Sequence, residues 1–584
     1  MSNPPVFPLS EVRRGVEGIG YTVFDSATGP EAFGVVVLGV MRNYLGPGED
    51  LIIARLTGDR IRQTGVISGM SGSPVYVNGR VMGAVGYRFG AFTEEPIAGI
   101  TPIERMLAVA SPLPHEGLRA ETNASPASGS MRRNKLPQST WGVAEPIAVP
   151  IATAGMHPAV ADAFSEELIK RGYGPLVPAA ATGGGNGGPR MDKSGIYAAG
   201  PVAGVLVSGD LMMAGIGTVT WVNGDRFLAF GHPFLGIGVS EMPVFNAEIV
   251  TTVASRAGSW KMGQATTPAG RLTDDRLHAI GGTLGADPRT MPMRVGLDMV
   301  GPRNSQNAVH ELNFRVVRHP TDTPLFAAIA LANAMSSRVG VERSGTLIVE
   351  GQTHISTGDK VSFVRRVTSD GGAPELSAAM LVLDELEGVV NNGLLDVSLR
   401  DLEVNVRRIP TIQHGQITGI KAIRPIVPGQ DSTVLVEVRR WEGQSVEQNV
   451  PISVPKGIAP GNYRLMALSA RPAIRTEYEG GLWTLPGNFD EWLQARPQQP
   501  NDGEISLYLV ADGEGLYLDG KGFPDMPVSL RDVLSGGGGS QGEVFEKRLA
   551  RLARFDFGGV VVGSANARVQ VRDKSISYSS KATR

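Results

Sequence analysis

The chain has 584 residues, and at roughly 150 residues per domain that length corresponds to about three to five units rather than one core. Its 76 glycines and 40 prolines imply dense turns between short strands, while a hydrophobic share of 42% excludes collagen, coiled coil and wholesale disorder. With 55 basic against 57 acidic residues there is no global field to engage nucleic acid, and the absence of cysteine excludes disulfides, thiolate metal sites and a cysteine nucleophile.

The start, MSNPP, has neither a basic nor an apolar leader segment, and the longest largely apolar stretch, Leu325 to Met335, is too short to span a bilayer. No leader or transmembrane segment is expected in the chain as it stands. Gly18 to Gly34 (GIGYTVFDSATGPEAFG) reads as a β-hairpin turning at Gly29. Thr64 to Tyr87 (TGVISGMSGSPVYVNGRVMGAVGY) sets a serine among glycines, followed by a hairpin through Asn78-Gly79. An exposed nucleophilic serine needs a tight turn and small neighbours, so Ser71 is the candidate nucleophile, with the N–H groups of Gly69, Met70 and Ser71 as a candidate oxyanion hole. Ser73 is its rival, but a serine before Pro74 more naturally shapes the turn.

Residues 121 to 140 read as a Ser/Asn/Ala-rich linker, and residues 179 to 190 as a glycine-rich one that lacks the lysine and hydroxyl of a phosphate loop. Between them, Pro158 to Arg171 has helical spacing. Gly215 to Gly231 (GIGTVTWVNGDRFLAFG) repeats the GIG start and AFG close of the first hairpin, which suggests two lobes opened by equivalent units. His232 follows at once, framed by Gly231 and Pro233. Asp274-Asp275-Arg276 with His278 matches no metal spacing and reads as a charged surface turn. Pro324 to Ser336 and Phe545 to Arg554 read as further helices, and Asp384, Glu385 and Glu387, near Asp396, as a solvated charged face. Strands at 416–422, 432–439, 448–454 and 462–468, separated by turns, read as an immunoglobulin-like sandwich, and residues 536 to 542 as another linker.

GMSGSP, followed by an apolar strand, an NG turn and a GAV strand, resembles the active-site segment of the stage IV sporulation protein B family of serine peptidases. Ala199 to His232 is similar to the family segment in which a Gly-Thr-Leu-Thr-type strand leads to a Gly-His that carries the general base. The resemblance covers about 100 to 150 residues and implies a trypsin-like peptidase with Ser71 as nucleophile and His232 as base. It also implies a protein or peptide substrate, which includes the chain itself with its two linkers, and an extracytoplasmic location. The family places an aspartate about fifteen residues before the serine; Asp59, twelve before it, is the choice, with Asp50 and Asp210 as alternatives. The order departs from the family, whose base and acid precede the serine, and no copy of its PDZ module is found. No cofactor or metal is called for.

The expected fold is mainly β with few helices: a two-lobed trypsin-like β-barrel region, then β-sandwich modules. The expected boundaries are 1–120 for the serine lobe, 121–195 for a linker and helical insert, and 196–300 for the histidine lobe. Beyond these come 301–409 as an α+β module, 410–475 as the sandwich and 476–584 as a β-rich module. The expected function is a serine endopeptidase working through an acyl-enzyme; the alternative is an inactive peptidase-like scaffold or binding protein.

Overall fold

The computed structural model describes residues 5–90, 94–110, 144–179, 191–256, 258–299, 309–337, 344–480, 482, 486–496, 499–518, 521–523, 527, 529–530, 533–534 and 543–572. The expected linkers at 121–140 and 536–542, and all but the first residue of that at 179–190, lie outside them. The chain is mainly β and divides into two compact units, one formed by Met1–Val295, Glu311–Arg338 and Ser398–Leu402, the other by Gly296–His310, Val339–Val397 and Glu403–Arg584.

The first unit begins with β1 (Glu17–Asp25), β2 (Gly29–Gly46), β3 (Glu49–Thr57), helix α1 (Asp59–Thr64), β4 (Pro74–Val77), β5 (Arg80–Phe89), β6 (Ile97–Pro102) and α2 (Ile103–Ala110). The six strands pair antiparallel in the order β1-β2-β3-β6-β5-β4, and β4 pairs back onto β1, so the hydrogen-bonded ring is closed. Closure leaves no open edge, and alternation along the strands points Val35, Val37, Ile52, Ala54, Val75 and Val85 into one buried core. Asn78 and Gly79 make the β4–β5 turn with φ of +50° and +74°, as the NG pair predicts.

A second ring follows β7 (Ala144–Pro146), β8 (Ile151–Ala154), α3 (Pro158–Lys170) and β9 (Leu176–Pro178). It consists of β10 (Pro201–Gly209), β11 (Met212–Asn223), β12 (Arg226–Ala229), β14 (Pro243–Val253), β15 (Trp260–Arg276) and β16 (Ala279–Leu284), with the two-residue β13 (Gly238–Val239) set aside on β15. These pair antiparallel as β10-β11-β12-β16-β15-β14 and close on β10. Strand for strand, the order is that of the first ring. β8 adds to β11, so part of the expected insert at 121–195 belongs to this sheet.

The sequence repeat is real in structure but shifted against this topology. Gly18 to Gly34 forms strands one and two of its ring, whereas Gly215 to Gly231 forms strands two and three, so the second copy does not open its ring. What the copies share is packing. A Cβ at Gly20 would fall 2.3 Å from the Phe33 ring, and one at Gly217 would fall 2.4 Å from the Phe230 ring. In each hairpin the missing side chain makes room for the phenylalanine of the AFG close.

The two rings meet along α2, where Ile103, Met106, Val81 and Ala84 share a core with Trp221, Leu228 and Ala279. Pro158 to Arg171 and Pro324 to Ser336 are helical as expected, the latter as α4 (Thr323–Ser336), almost wholly buried and a member of this unit rather than of a separate 301–409 module.

In the second unit, the helix Pro374–Val390 packs on the strand pair Gly345–His354 and Lys360–Ser369. It buries Glu385, which pairs with Arg365 and Arg496, so the expected solvated face is in part a buried ion pair. The four expected sandwich strands form and fall in two sheets: Ser445–Ser453, Asp431–Arg440, His414–Ala422 and Val560–Val562 lie side by side in one, and Gly461–Leu468 lies between Glu504–Leu518 and Ser564–Val571 in the other. Val436, Val438, Leu465, Leu507 and Leu509 share one core, so the expected boundary at 475 cuts through a single packed body. Phe545 to Arg554 is strand (Glu543–Asp556), not helix. Ala553 faces Leu507 and Arg551 faces Tyr508, leaving Leu552 as a bulge. Leu549 packs with Tyr508 and Val510 on one face of the sheet and Leu552 with Leu507 and Leu509 on the other, so two leucines three apart are both buried without a helix.

Candidate functional site

The GMSGSP segment is the connection between the third and fourth strands of the first ring, after α1 and before β4. Gly69 and Gly72 have φ of +92° and +93°, a region that disfavours any side chain. Ser73 shapes the turn, as expected of the residue before Pro74: its Oγ and its N–H both donate to the Met70 carbonyl, at 2.5 and 3.0 Å. Ser71 Oγ is buried and has no hydrogen-bond partner among the described residues. The expected oxyanion hole is narrower than three donors, because the Met70 N–H is spent on the Ile67 carbonyl at 3.2 Å. The N–H groups of Gly69 and Ser71 have no partner among the described residues.

His232 lies in the corresponding connection of the second ring, after β12 and before β14. Phe230 and Gly231 both turn through positive φ, +72° and +67°, to deliver it. The ring stands edge-on to Tyr87, centroids 6.3 Å apart, and its Nδ1 lies 2.6 Å from the Pro233 carbonyl, which it meets as a donor in the neutral form. Nε2 is buried with no hydrogen-bond partner among the described residues, which leaves its lone pair unclaimed there. Burial drives the imidazole pKa down to about 4, against the opposing pull of the Pro233 and Ile147 backbone groups.

The two connections come together across the ring interface. Thr218 N–H donates to the Ser71 carbonyl at 2.9 Å and Thr218 Oγ1 to the Gly69 carbonyl at 3.0 Å. Thr220 Oγ1 donates to the Gly72 carbonyl at 2.7 Å, and from the first ring Thr101 Oγ1 donates to the Gly231 carbonyl at 2.5 Å. A Cβ at Gly72 would fall 2.0 Å from the Thr218 carbonyl oxygen, and one at Gly86 would fall 2.4 Å from that of Gly231, so both glycines are needed for close approach. Ser71 Oγ and His232 Nε2 are not hydrogen-bonded to each other.

None of the expected acids reaches the histidine. Asp59 is exposed at the start of α1 and pairs with Arg62; Asp50 pairs with Arg42, and Asp210 accepts from the Asn313 N–H. The carboxylate that grips the histidine segment is Asp275, at the end of β15, which accepts from the N–H groups of Phe234, Leu235 and Gly236 at 2.8, 2.6 and 2.8 Å. Asp274 and Asp275 are buried, 4% and 1% exposed, and are not the surface turn expected of them. Among the described residues no cluster of three or more His, Asp or Glu is placed to hold a metal.

A further residue gives no sequence signal. Lys261 on β15 is 3% exposed, and its Nζ meets Thr22 Oγ1 at 2.7 Å and Thr218 Oγ1 at 3.2 Å. Its stem lies against Gly69, where an added Cβ would meet Lys261 carbons at 3.2 to 3.4 Å. Burial alone pushes its pKa down to about 7. Strand alternation in Ser259-Trp260-Lys261-Met262 would turn the tryptophan and methionine inward, and the fold does the reverse.

Comparison of the chain with protein-family models, curated proteins and solved structures finds no match.

Proposed function

We propose that this chain is a serine endopeptidase, with Ser71 as nucleophile, His232 as general base and the N–H groups of Gly69 and Ser71 as the oxyanion hole. The observation that carries this reading is positional. Two rings with one strand order present, from the same third-to-fourth-strand connection, a serine in one and a histidine in the other, and the two connections meet. Such a pair of rings suits the two barrels of a trypsin-like peptidase. It also supports the resemblance to the sporulation peptidases despite the reversed order, since triads are defined by geometry rather than sequence position.

In the proposed reaction His232 Nε2 takes the Ser71 proton as Oγ attacks the substrate carbonyl, and the two N–H groups receive the oxyanion. The imidazolium then protonates the leaving amine. Water, deprotonated by the same nitrogen, hydrolyses the acyl-enzyme and returns Ser71. With a base this low in pKa, activity extends to mildly acidic pH. Protein substrates, an extracytoplasmic setting and immunoglobulin-like recognition by the second unit belong to the same proposal.

One observation favours a second reading, an inactive peptidase-like scaffold: Ser71 and His232 are sealed from solvent, 0% and 1% exposed, and are not hydrogen-bonded to each other. A fluorophosphonate followed by intact mass separates the two. The peptidase reading expects one adduct on wild type, none on Ser71→Ala, and a labelling rate about 10²-fold lower in His232→Ala. Equal labelling of wild type and Ser71→Ala overturns the assignment, and an unlabelled wild type supports the scaffold.

A further inference from the structure

A lysine buried without a carboxylate is costly, and Lys261 is such a residue beside the candidate nucleophile. The groups that face it are the Thr22 hydroxyl from β1, the Thr218 hydroxyl from β11, its register partner Thr252 on β14, and Gly69 from the serine connection. None is charged, and burial is the sole influence on its titration. Replacing such an amine by an apolar chain of similar length should cost no stability, so its presence asks for another account.

Thr218 supplies that account, because it is the residue through which the second ring holds the serine connection. Its N–H and Oγ1 take the carbonyls of Ser71 and Gly69, the two residues whose own N–H groups are unclaimed. A hydroxyl that donates to Gly69 has its oxygen lone pairs left for donors, and Lys261 Nζ at 3.2 Å is the nearer of two that face it, the Thr22 hydroxyl standing at 3.5 Å. The amine thereby fixes the Thr218 rotamer, and its methylene stem backs Gly69 from the same side. We infer that Lys261 is a positioning residue for Ser71, its ammonium holding the Gly69–Ser71 turn in place through Thr218.

The inference rests on Ser71 being the nucleophile, and it predicts how Ser71 reactivity depends on pH. An ammonium donates a charge-assisted hydrogen bond to Thr218, and a neutral amine a weaker one. Ser71 labelling therefore rises as His232 loses its proton near pH 4 and falls as Lys261 loses its charge near pH 7, giving a bell.

The test compares wild type, Lys261→Met, Thr218→Val and the double variant by fluorophosphonate labelling across pH 4 to 9. It adds amide hydrogen exchange of the peptide spanning residues 65–73 and thermal melting. Lys261→Met should melt at or above the wild-type temperature, label about tenfold more slowly at pH 6 and lose the alkaline limb of the bell. Exchange in the 65–73 peptide should quicken about tenfold, and Thr218→Val should add nothing further, since both residues act through one contact.

Labelling of Lys261→Met within twofold of wild type, or survival of the alkaline limb, overturns the inference. Unchanged exchange overturns it as well. If wild type itself does not label, the serine peptidase reading fails, and the exchange measurement still decides whether Lys261 holds the turn.

Discussion

The two rings share a strand order and present their candidate residues from the same connection, yet they hold those connections by different means. The serine connection is held mostly by the other ring: Thr218 and Thr220 take three of its carbonyls, and Ser259 and Lys261 exchange backbone hydrogen bonds with Ser68. The histidine connection is held mostly by its own ring, through three N–H groups on the Asp275 carboxylate, with Thr101 as its bond from the first ring. The difference separates two tasks. Asp275 can shape the histidine segment within ring two, whereas the serine connection, tied to its own ring through Val85, takes most of its hydrogen bonds from the docked partner ring.

The sharpest way to break this contrast is to remove the anchor internal to the second ring. Asp275→Ala strands three N–H groups, two of them buried, and should cost about 3 to 5 kcal/mol in urea unfolding, while Asp275→Asn, which keeps one acceptor oxygen, should cost less. A loss below about 1 kcal/mol for the alanine variant would mean that the connection does not depend on the carboxylate.

A second measurement sharpens the contrast through pH. His232 titrates near 4 in the folded chain against an ordinary 6.5, so between those values the unfolded chain binds more protons and stability falls as pH falls. The loss should reach about 3 kcal/mol by pH 4 relative to His232→Gln. Lys261, down to about 7 from 10.5, has the same sign in a separate window: wild type gains on Lys261→Met as pH rises from about 7 to 10.5. Two rising steps in folding stability, each erased by its own variant, are the expected record; a single step would mean that one of the two groups is not buried as described.

Much of the site was legible because local chemistry dictates it. The positive-φ glycines around Ser71, the NG turn after it and the role of Ser73 follow from residue type alone. The hairpin repeat was legible too, through the glycine and phenylalanine that pack on each other in both copies. What stayed hidden depends on contacts between distant strands. Asp275 reads as surface charge until β15 places it under the residues that follow His232, and Asp59, chosen by its distance from Ser71 along the chain, sits on the surface with Arg62. Lys261 reads as solvent-facing because Trp260 and Met262 look like the buried phase. The strand at 543–556 reads as helix because Leu549 and Leu552 are both buried, although they lie on opposite faces of the sheet. In each case the misleading signal is local in the sequence, and a register or a contact elsewhere in the chain overrides it.

The smallest expected effect bears most directly on how the rings depend on each other. Thr220 and Thr101 make reciprocal hydroxyl-to-carbonyl bonds, one from each ring to the other's connection, onto Gly72 and Gly231. Valine keeps the shape and removes the donor, so each single substitution should cost about 1 kcal/mol, with a buried carbonyl left short of a partner. The consequences for Ser71 should differ. Thr220→Val loosens a connection whose bonds to its own ring run through Val85, without a carboxylate anchor like Asp275, and should slow fluorophosphonate labelling, whereas Thr101→Val acts on a segment that Asp275 already fixes and should leave the rate near wild type. Equal slowing by both would mean that the two connections move as one body, and that their different anchors do not make one of them the weaker.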